Sequence, residues 1–418
     1  MIQLLHTPEG VRDYYNDECA RKTALCGRIQ AAFSRYGYHP IQTPTFEFFD
    51  IFNAERGSVA SRDLYKLIDR TGETLVLRPD FTPSVARCAA KYYGGETFPI
   101  RLSYLGSTFI NHSGYQGRLR ETTQAGVELV GDASLAADAE VVALVVDCLK
   151  SAGLTEFQVE IGQVDFFNGL LQEAGMAAET AAELRELVES KNFFGVEELL
   201  GAQKLTGSLT EAFLALPQLF GQAEEVFVRA RSLTKNKRAL AAVDRLEQLF
   251  RLLQCYGVDR YISFDLGMLG KYQYYTGIIF KGYTYGTGDS VVTGGRYDNL
   301  MVQFGKDAPS VGFGISVDTL MNAMMRQKLA EPLPWEEAMI LYQPACREQA
   351  VALGVQRRAA GEKIVLAEQE KPLEEYRRYA AENRIRAILY LPEGAEEPQN
   401  IPIEPVGCDG QAEQEEAK

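Results

Sequence analysis

The sequence predicts an α+β protein: an antiparallel sheet flanked by helices, interrupted by a helical insertion and followed by a small α/β domain. Three stretches predict it. Residues 101–131 read as strand, polar loop, strand. Residues from about 164 to 250 are almost entirely helical in pattern and carry no chemical motif. Residues 338–391 read β-α-β-α-β, the pattern of a small parallel sheet with right-handed crossovers. At 418 residues the chain is long enough for two or three domains with an ample core. The expected division is 1–325 for the main domain, 326–337 for a linker holding Pro332, Pro334 and Trp335, 338–391 for the small domain, and 392–418 for a disordered tail rich in Glu, Gln, Gly and Pro.

In chain order, residues 8–13 form a turn-rich entry. Residues 17–33 then read as an amphipathic helix with Leu25, Ile29 and Phe33 on one face, ended by Gly37. Residues 64–69 and 74–78 read as a hairpin around Arg70-Thr71-Gly72-Glu73. The second strand runs into Arg78-Pro79-Asp80-Phe81-Thr82-Pro83, where Thr82 caps a helix and Pro83 takes its first position. Asp80 is a plain helix-capping acid on this reading.

The next hairpin joins residues 102–110 to 120–130. On the return strand Thr123, Ala125, Val127 and Leu129 alternate on a face suited to packing under helices. Thr122, Gln124, Gly126 and Glu128 alternate on the other, which is either solvated or lines a cleft. Residues 136–149 form an apolar helix and 157–162 a strand. After the insertion, sheet character returns at Tyr261. Residues 311–320 read as an apolar strand followed by a helix capped by Asp318.

Composition narrows the function. The chain has no apolar run of 18 residues and no signal-peptide pattern at its start. Seven scattered cysteines without a CxxC fit free thiols in a reducing compartment, hence the cytoplasm, rather than a disulfide frame or a zinc site. Three separated histidines, His6, His39 and His112, make no metal cluster. A net charge of −14 argues against an extended nucleic-acid surface.

Several of these segments resemble the class II aminoacyl-tRNA synthetases, and histidyl-tRNA synthetase in particular. Gly117-Arg118-Leu119-Arg120, Gln124, Gly126 and Glu128 are similar to the second half of motif 2, while Phe109-Ile110-Asn111-His112 stands where its F-R-x-E would be. The helix of residues 17–33 and the segment 38–47 resemble motif 1, which implies a dimer interface around Pro44. Residues 77–82 resemble the LRPEGT segment, with Asp80 for Glu. Residues 267–280 keep the Tyr274-Tyr275-Thr276-Gly277 core of a histidine-specific signature, but Gly270 replaces its Arg and Gln273 its Asp. Residues 294–300 match a second signature, GGRYDxL, in full. Residues 311–320 resemble motif 3, with Thr319 replacing the Arg.

The resemblance implies a retained histidine pocket made by Asp80, Thr82, Gln124, Glu128, Tyr274 and Tyr275. A carboxylate pairs with an α-ammonium, Gln and Glu accept from imidazole N–H groups, and tyrosines pack the ring. It also implies a dismantled ATP clamp. Arginine holds triphosphate bidentately, and here its three positions are Ile110, Gly270 and Thr319. Losing three charged hydrogen bonds raises a barrier by about 5–9 kcal/mol, or roughly four to six powers of ten in rate. Arg118, Arg120 and Arg296 remain as candidate anion-binding residues. The small C-terminal domain resembles a shortened anticodon-binding domain.

A synthetase framework with this pattern of losses is similar to the regulatory subunits of ATP phosphoribosyltransferase, the synthetase-like partners of the short catalytic form in histidine biosynthesis. That similarity implies no catalysis by this chain alone, no cofactor or metal, and no binding of tRNA or membrane. It implies dimers assembled with catalytic subunits into a hetero-octamer, activation of the partner, and inhibition by histidine. Histidine would bind in the old amino-acid pocket or at a subunit interface. Two other readings stay open: a synthetase paralogue that binds another small molecule or RNA, and an active histidine–tRNA ligase with substitute arginines. RNA retention would mark the first, and histidine-dependent ATP–pyrophosphate exchange the second.

Overall fold

A computed structural model describes residues 5–52, 59–95, 99–112, 118–270, 275–329, 333 and 337–404. The chain divides into two units, Met1–Ala330 and Glu331–Lys418.

The first unit opens with helix α1 (Asn16–Arg35), strands β1 (His39–Pro40), β2 (Phe46–Phe48), β3 (Lys66–Ile68) and β4 (Thr74–Leu77), and helix α2 (Thr82–Tyr92). The long hairpin β5 (Ile100–Phe109) and β6 (Glu121–Val130) follows, then α3 (Leu135–Ala152) and β7 (Phe157–Gln163). The insertion supplies α4 (Val164–Ala174), α5 (Ala178–Glu189), α6 (Phe193–Ala202), α7 (Ser208–Ala215), β8 (Phe220–Gly221), α8 (Ala223–Leu233) and α9 (Lys237–Cys255). The chain returns through β9 (Ile262–Asp265), β10 (Ile278–Thr284), β11 (Val292–Arg296), β12 (Ser310–Ser316) and α10 (Val317–Arg326).

The main sheet runs β1-β5-β6-β12-β11-β10-β7-β9-β8. Its six central strands, β5 to β7 in that order, are antiparallel neighbours, as expected. Toward the edges, β1 pairs with β5 and β9 with β7 in parallel, so the whole is mixed. A parallel neighbour needs a crossover: the chain from β2 to α2 lies between β1 and β5, and the insertion lies between β7 and β9.

One face of β6 is the core face. Ala125, Val127 and Leu129 are fully buried with Leu144, Val145 and Leu149 of α3 and with Ile29 and Phe33 of α1. Each such buried aliphatic side chain contributes about 1.5–3 kcal/mol. Helix α3 is apolar on nearly every side, as befits a helix with sheet beneath it and helices around it. Ser134 Oγ accepts from the Ala137 amide at its start, and Gly153 at φ +104° ends it.

The insertion is no detached lobe. The α9 stripe Ala239, Val243, Leu246, Leu249 and Leu253 recurs at helical spacing and enters the same core as α3 and β6. The sequence pattern here is almost entirely helical; β8 adds a two-residue strand beside β9, too short to leave a periodic signature.

Two expected caps are corrected. Thr82 does begin α2, with Pro83 in its first turn, but its hydroxyl donates across the sheet to Glu128 Oε1 at 2.8 Å. Asp318 lies inside α10 and is buried. It accepts from Tyr14 Oη (2.6 Å), Lys22 Nζ (2.7 Å) and the Thr123 amide (2.6 Å), and so ties the N-terminal segment and α1 to β6.

In the second unit β13 (Glu337–Tyr342), α11 (Arg347–Ala359), β14 (Lys363–Glu368), α12 (Leu373–Glu382) and β15 (Ile385–Leu391) follow the expected order, with β13 parallel to both β14 and β15. The span expected to be a disordered tail contributes a further strand, β16 (Gln399–Pro402), antiparallel to β15. Ile401 and Ile403 hold it against Met339 and Ile388; the surrounding Glu and Pro masked these two apolar residues in the composition. Residues 405–418 and half of the expected linker, including Pro332, Pro334 and Trp335, lie outside the described residues.

Candidate functional site

The polar face of β6 lines a cleft of about 210 Å³ rather than facing open solvent. Its floor is made by glycines on neighbouring strands. Gly312 of β12 stands opposite Glu128, and Gly314 opposite Gly126. A Cβ at Gly312 would collide with the Glu128 carboxylate, and one at Gly314 with the Gln124 amide. The missing side chains therefore let Glu128 and Gln124 lie across β12.

Glu128 is 1 % exposed. Thr82 Oγ1 donates to its Oε1, and the Tyr297 hydroxyl donates to its Oε2. Burial pushes its pKa up to about 8; the two hydroxyls oppose the rise and nearby Asp80 adds to it. Asp80 is itself buried at the strand-to-helix mouth, where its Oδ1 accepts the Thr82 amide at 3.3 Å. Tyr104 stacks on Phe81 at 4.4 Å, and its own hydroxyl is held well above its usual pKa by burial. Gln124 presents an Oε1 that is buried and has no partner among the described residues. A buried acceptor left open costs free energy until a donor arrives.

Of the sequence-selected pocket residues, Asp80, Thr82, Gln124, Glu128 and Tyr275 line this one cleft. Tyr274 lies outside the described residues. Tyr297, Gly312 and Gly314 also line it and were not selected. Tyr297 sat inside the quoted GGRYDxL segment. Its signal was an aromatic hydroxyl beside a charged residue in a glycine-flanked strand.

The three positions that lack arginine differ in character. Ile110 lines the cleft with an apolar side chain. Gly270 has φ +76°, and a Cβ there would press on the Tyr275 ring, so the backbone itself is unsuited to arginine. Thr319 exchanges a 2.7 Å hydrogen bond with Ser316.

The arginines that remain divide as well. Arg296, expected as a candidate anion-binding residue, is 4 % exposed and donates from Nε to Asp138 Oδ1 at 2.7 Å. Its charge is already neutralised inside the fold, and it is absent from the cleft lining. Arg118 is half-exposed and lies 3.9 Å from Asp289, and Arg120 lies 3.7 Å from Glu9. Pro44 is exposed, and its carbonyl accepts from Arg78, whose guanidinium also stacks over Phe81. Among the described residues there is no His, Cys, Asp or Glu group able to hold a metal, and no helix is long and apolar enough to cross a membrane.

Known proteins resemble this chain over most of its length. Residues 10–320 match the family model described as histidyl-tRNA synthetase. The ATP phosphoribosyltransferase regulatory subunit of Acetivibrio thermocellus is 38% identical over 385 residues, 92% of each chain. That of Ruminiclostridium cellulolyticum is 38% identical over 387 residues, 93% of this chain and 92% of its own. A crystal structure from Bacillus halodurans, described as an ATP phosphoribosyltransferase regulatory subunit/histidyl-tRNA synthetase, superimposes with a TM-score of 0.85 at 31% identity, covering 94% of this chain and 100% of that one. With likeness of this extent in sequence and fold, the chain belongs to the family of ATP phosphoribosyltransferase regulatory subunits, built on the histidyl-tRNA synthetase framework.

Proposed function

We propose that this chain is a non-catalytic regulatory subunit that activates the short-form ATP phosphoribosyltransferase and makes it sensitive to histidine, with histidine bound in the β6 cleft. One observation carries the reading. The cleft keeps two buried carboxyl groups and an open amide acceptor, Gln124 Oε1, while Ile110, Gly270 and Thr319 occupy the positions of the phosphate-clamping arginines. Acceptors without cations suit a ligand that brings N–H groups and a positive charge, as an amino acid with an imidazole side chain does. They do not suit a triphosphate.

Asp80 and Glu128 meet the ammonium and the ring N–H, Thr82 and Gln124 complete the polar contacts, and Tyr274 and Tyr275 pack the ring. Arg118 and Arg120, outside the cleft lining and near Asp289 and Glu9, remain only candidate anion contacts; Arg296 is withdrawn from that role because Asp138 neutralises it. Histidine regulates by binding two states of the assembly with different affinity.

Self-association through the motif 1 region around Pro44 is supported by the small sheet β2-β4-β3. Its register brings Phe48, Leu75 and Leu67 side by side on one face, where Phe48 is 56% and Leu67 46% exposed. An apolar row of this kind marks an interface. Pairs of such dimers with catalytic subunits make the hetero-octamer. Scattered thiols support a cytoplasmic setting, and the charge of −14 is consistent with the lack of a tRNA partner.

Reconstitution tests the reading. Mixed with the short-form catalytic subunit of the same genome, this chain is expected to raise the rate of phosphoribosyl-ATP formation, and added histidine to suppress it. An unchanged rate, with no complex on a sizing column, contradicts it.

A further inference from the structure

The cleft wall that carries Tyr275 is set from outside the sheet, by the C-terminal end of α5 in the insertion. Glu189 Oε2 accepts the amides of Leu269 and Gly270, each at 2.7 Å, and its Oε1 pairs with Lys281 Nζ of β10 at 3.1 Å. One turn earlier, Arg185 donates to the Leu269 carbonyl and to Asn168 Oδ1, both at 3.2 Å. Just beyond the helix, Lys191 Nζ reaches both carboxylate oxygens of Asp265, at 2.9 and 2.7 Å, and Asp265 Oδ1 in turn accepts the Gly267 amide. Arg185, Glu189 and, through the Asp265 carboxylate, Lys191 thus hold the segment of residues 265–270.

The backbone at Lys191 has φ +56°, a conformation that glycine usually supplies after a helix. A lysine there keeps an ammonium on Asp265 at the expense of local strain. At the other end of the held segment, Gly270 lies beneath the Tyr275 ring. Tyr275 lines both the β6 cleft and an adjoining hollow of about 260 Å³ that includes Met268, Gly270 and Lys281. Two charge-assisted hydrogen bonds to one carboxylate fix the direction of the peptide planes at residues 269 and 270.

The geometry points to Glu189 as a positioning residue: through residues 269–270 it fixes the Tyr275 wall, so that the affinity of the cleft for its amino-acid effector depends on how α5 is seated. This rests on the cleft being the effector site. It gives the helical insertion a share in effector recognition, although none of its residues lines the β6 cleft.

The test is amide hydrogen exchange and a histidine titration on the full chain, as wild type, Glu189→Ala and Glu189→Gln. In Glu189→Ala the amides of residues 267–270 are expected to exchange at least tenfold faster, with α3 and β6 unchanged, and the Kd for histidine to rise at least fivefold. Glu189→Gln, whose amide oxygen still accepts both N–H groups, is expected to stay within about twofold of wild type in Kd. Wild-type exchange in Glu189→Ala, or a wild-type Kd, overturns the proposal. If the wild-type chain takes up no histidine, it is the effector-site reading that fails, and exchange alone decides the positioning role. Should Glu189→Ala lose protection throughout, Lys191→Gly carries the test, since glycine fits that backbone. Faster exchange confined to residues 265–270 supports the role, and unchanged exchange overturns it.

Discussion

In the reconstituted enzyme, Glu128→Ala is expected to raise the histidine concentration needed for half inhibition by at least about thirtyfold, the low end of the 2–5 kcal/mol cost of truncating a buried, hydrogen-bonded charged partner. The steady-state rate against histidine concentration reads this directly, and a variant with full histidine sensitivity excludes the cleft as the effector site. The effect carries a pH signature. With its pKa raised to about 8, Glu128 is mostly protonated at pH 7 in the empty cleft. A cationic ligand favours the carboxylate, so it must displace that proton. Affinity therefore rises with pH up to about 8, by as much as about tenfold per unit below it. The linkage to folding has the opposite sign. The folded chain holds the extra proton between the ordinary value of 4.5 and about 8, so the stabilisation is full below the first and is lost as pH climbs through the second.

Asp138→Ala is expected to destabilise the first unit by about 3–5 kcal/mol, because it removes the fully buried counter-ion of a buried guanidinium. Asp138 is fully buried, and its two oxygens accept from Arg296 of β11 and Arg245 of α9. Arg296 also donates to the Asp132 carbonyl and to Asp298 Oδ1, and Tyr297 beside it reaches Glu128. The loss should therefore loosen the cleft as well as the core. Urea unfolding followed by circular dichroism measures it, and a change below about 1 kcal/mol would mean that Arg296 finds other partners.

The parts of the fold that were legible in the sequence are those with strict periodicity. The alternation of residues 122–129 gave β6 and both its faces, and the apolar run of α3 announced a buried helix. What the sequence left open was which polar side chains turn inward. Thr82 reads as a cap by its position before Pro83, yet its hydroxyl turns to the buried Glu128 carboxyl, while Asp80 accepts the Thr82 amide at the helix start. Arg296 looked available for anions because nothing nearby in sequence hints that Asp138, 158 positions away, meets it. Glu189, on a mixed-charge helix, reads as an ordinary solvated residue; only the tertiary fold brings residues 269–270 to it. The six candidate pocket residues were chosen by likeness to a family motif, not by periodicity, and for that reason Gly312 and Gly314, which make room for Glu128 and Gln124, went unselected.

The most direct measurement is calorimetric titration of L-histidine into the purified chain at pH 7, in two buffers of different ionisation enthalpy. Histidine bound against Glu128 in the β6 cleft predicts one site per chain and release of about one proton from Glu128, both abolished in Glu128→Ala. No binding, or binding without proton release that survives in Glu128→Ala, contradicts the account.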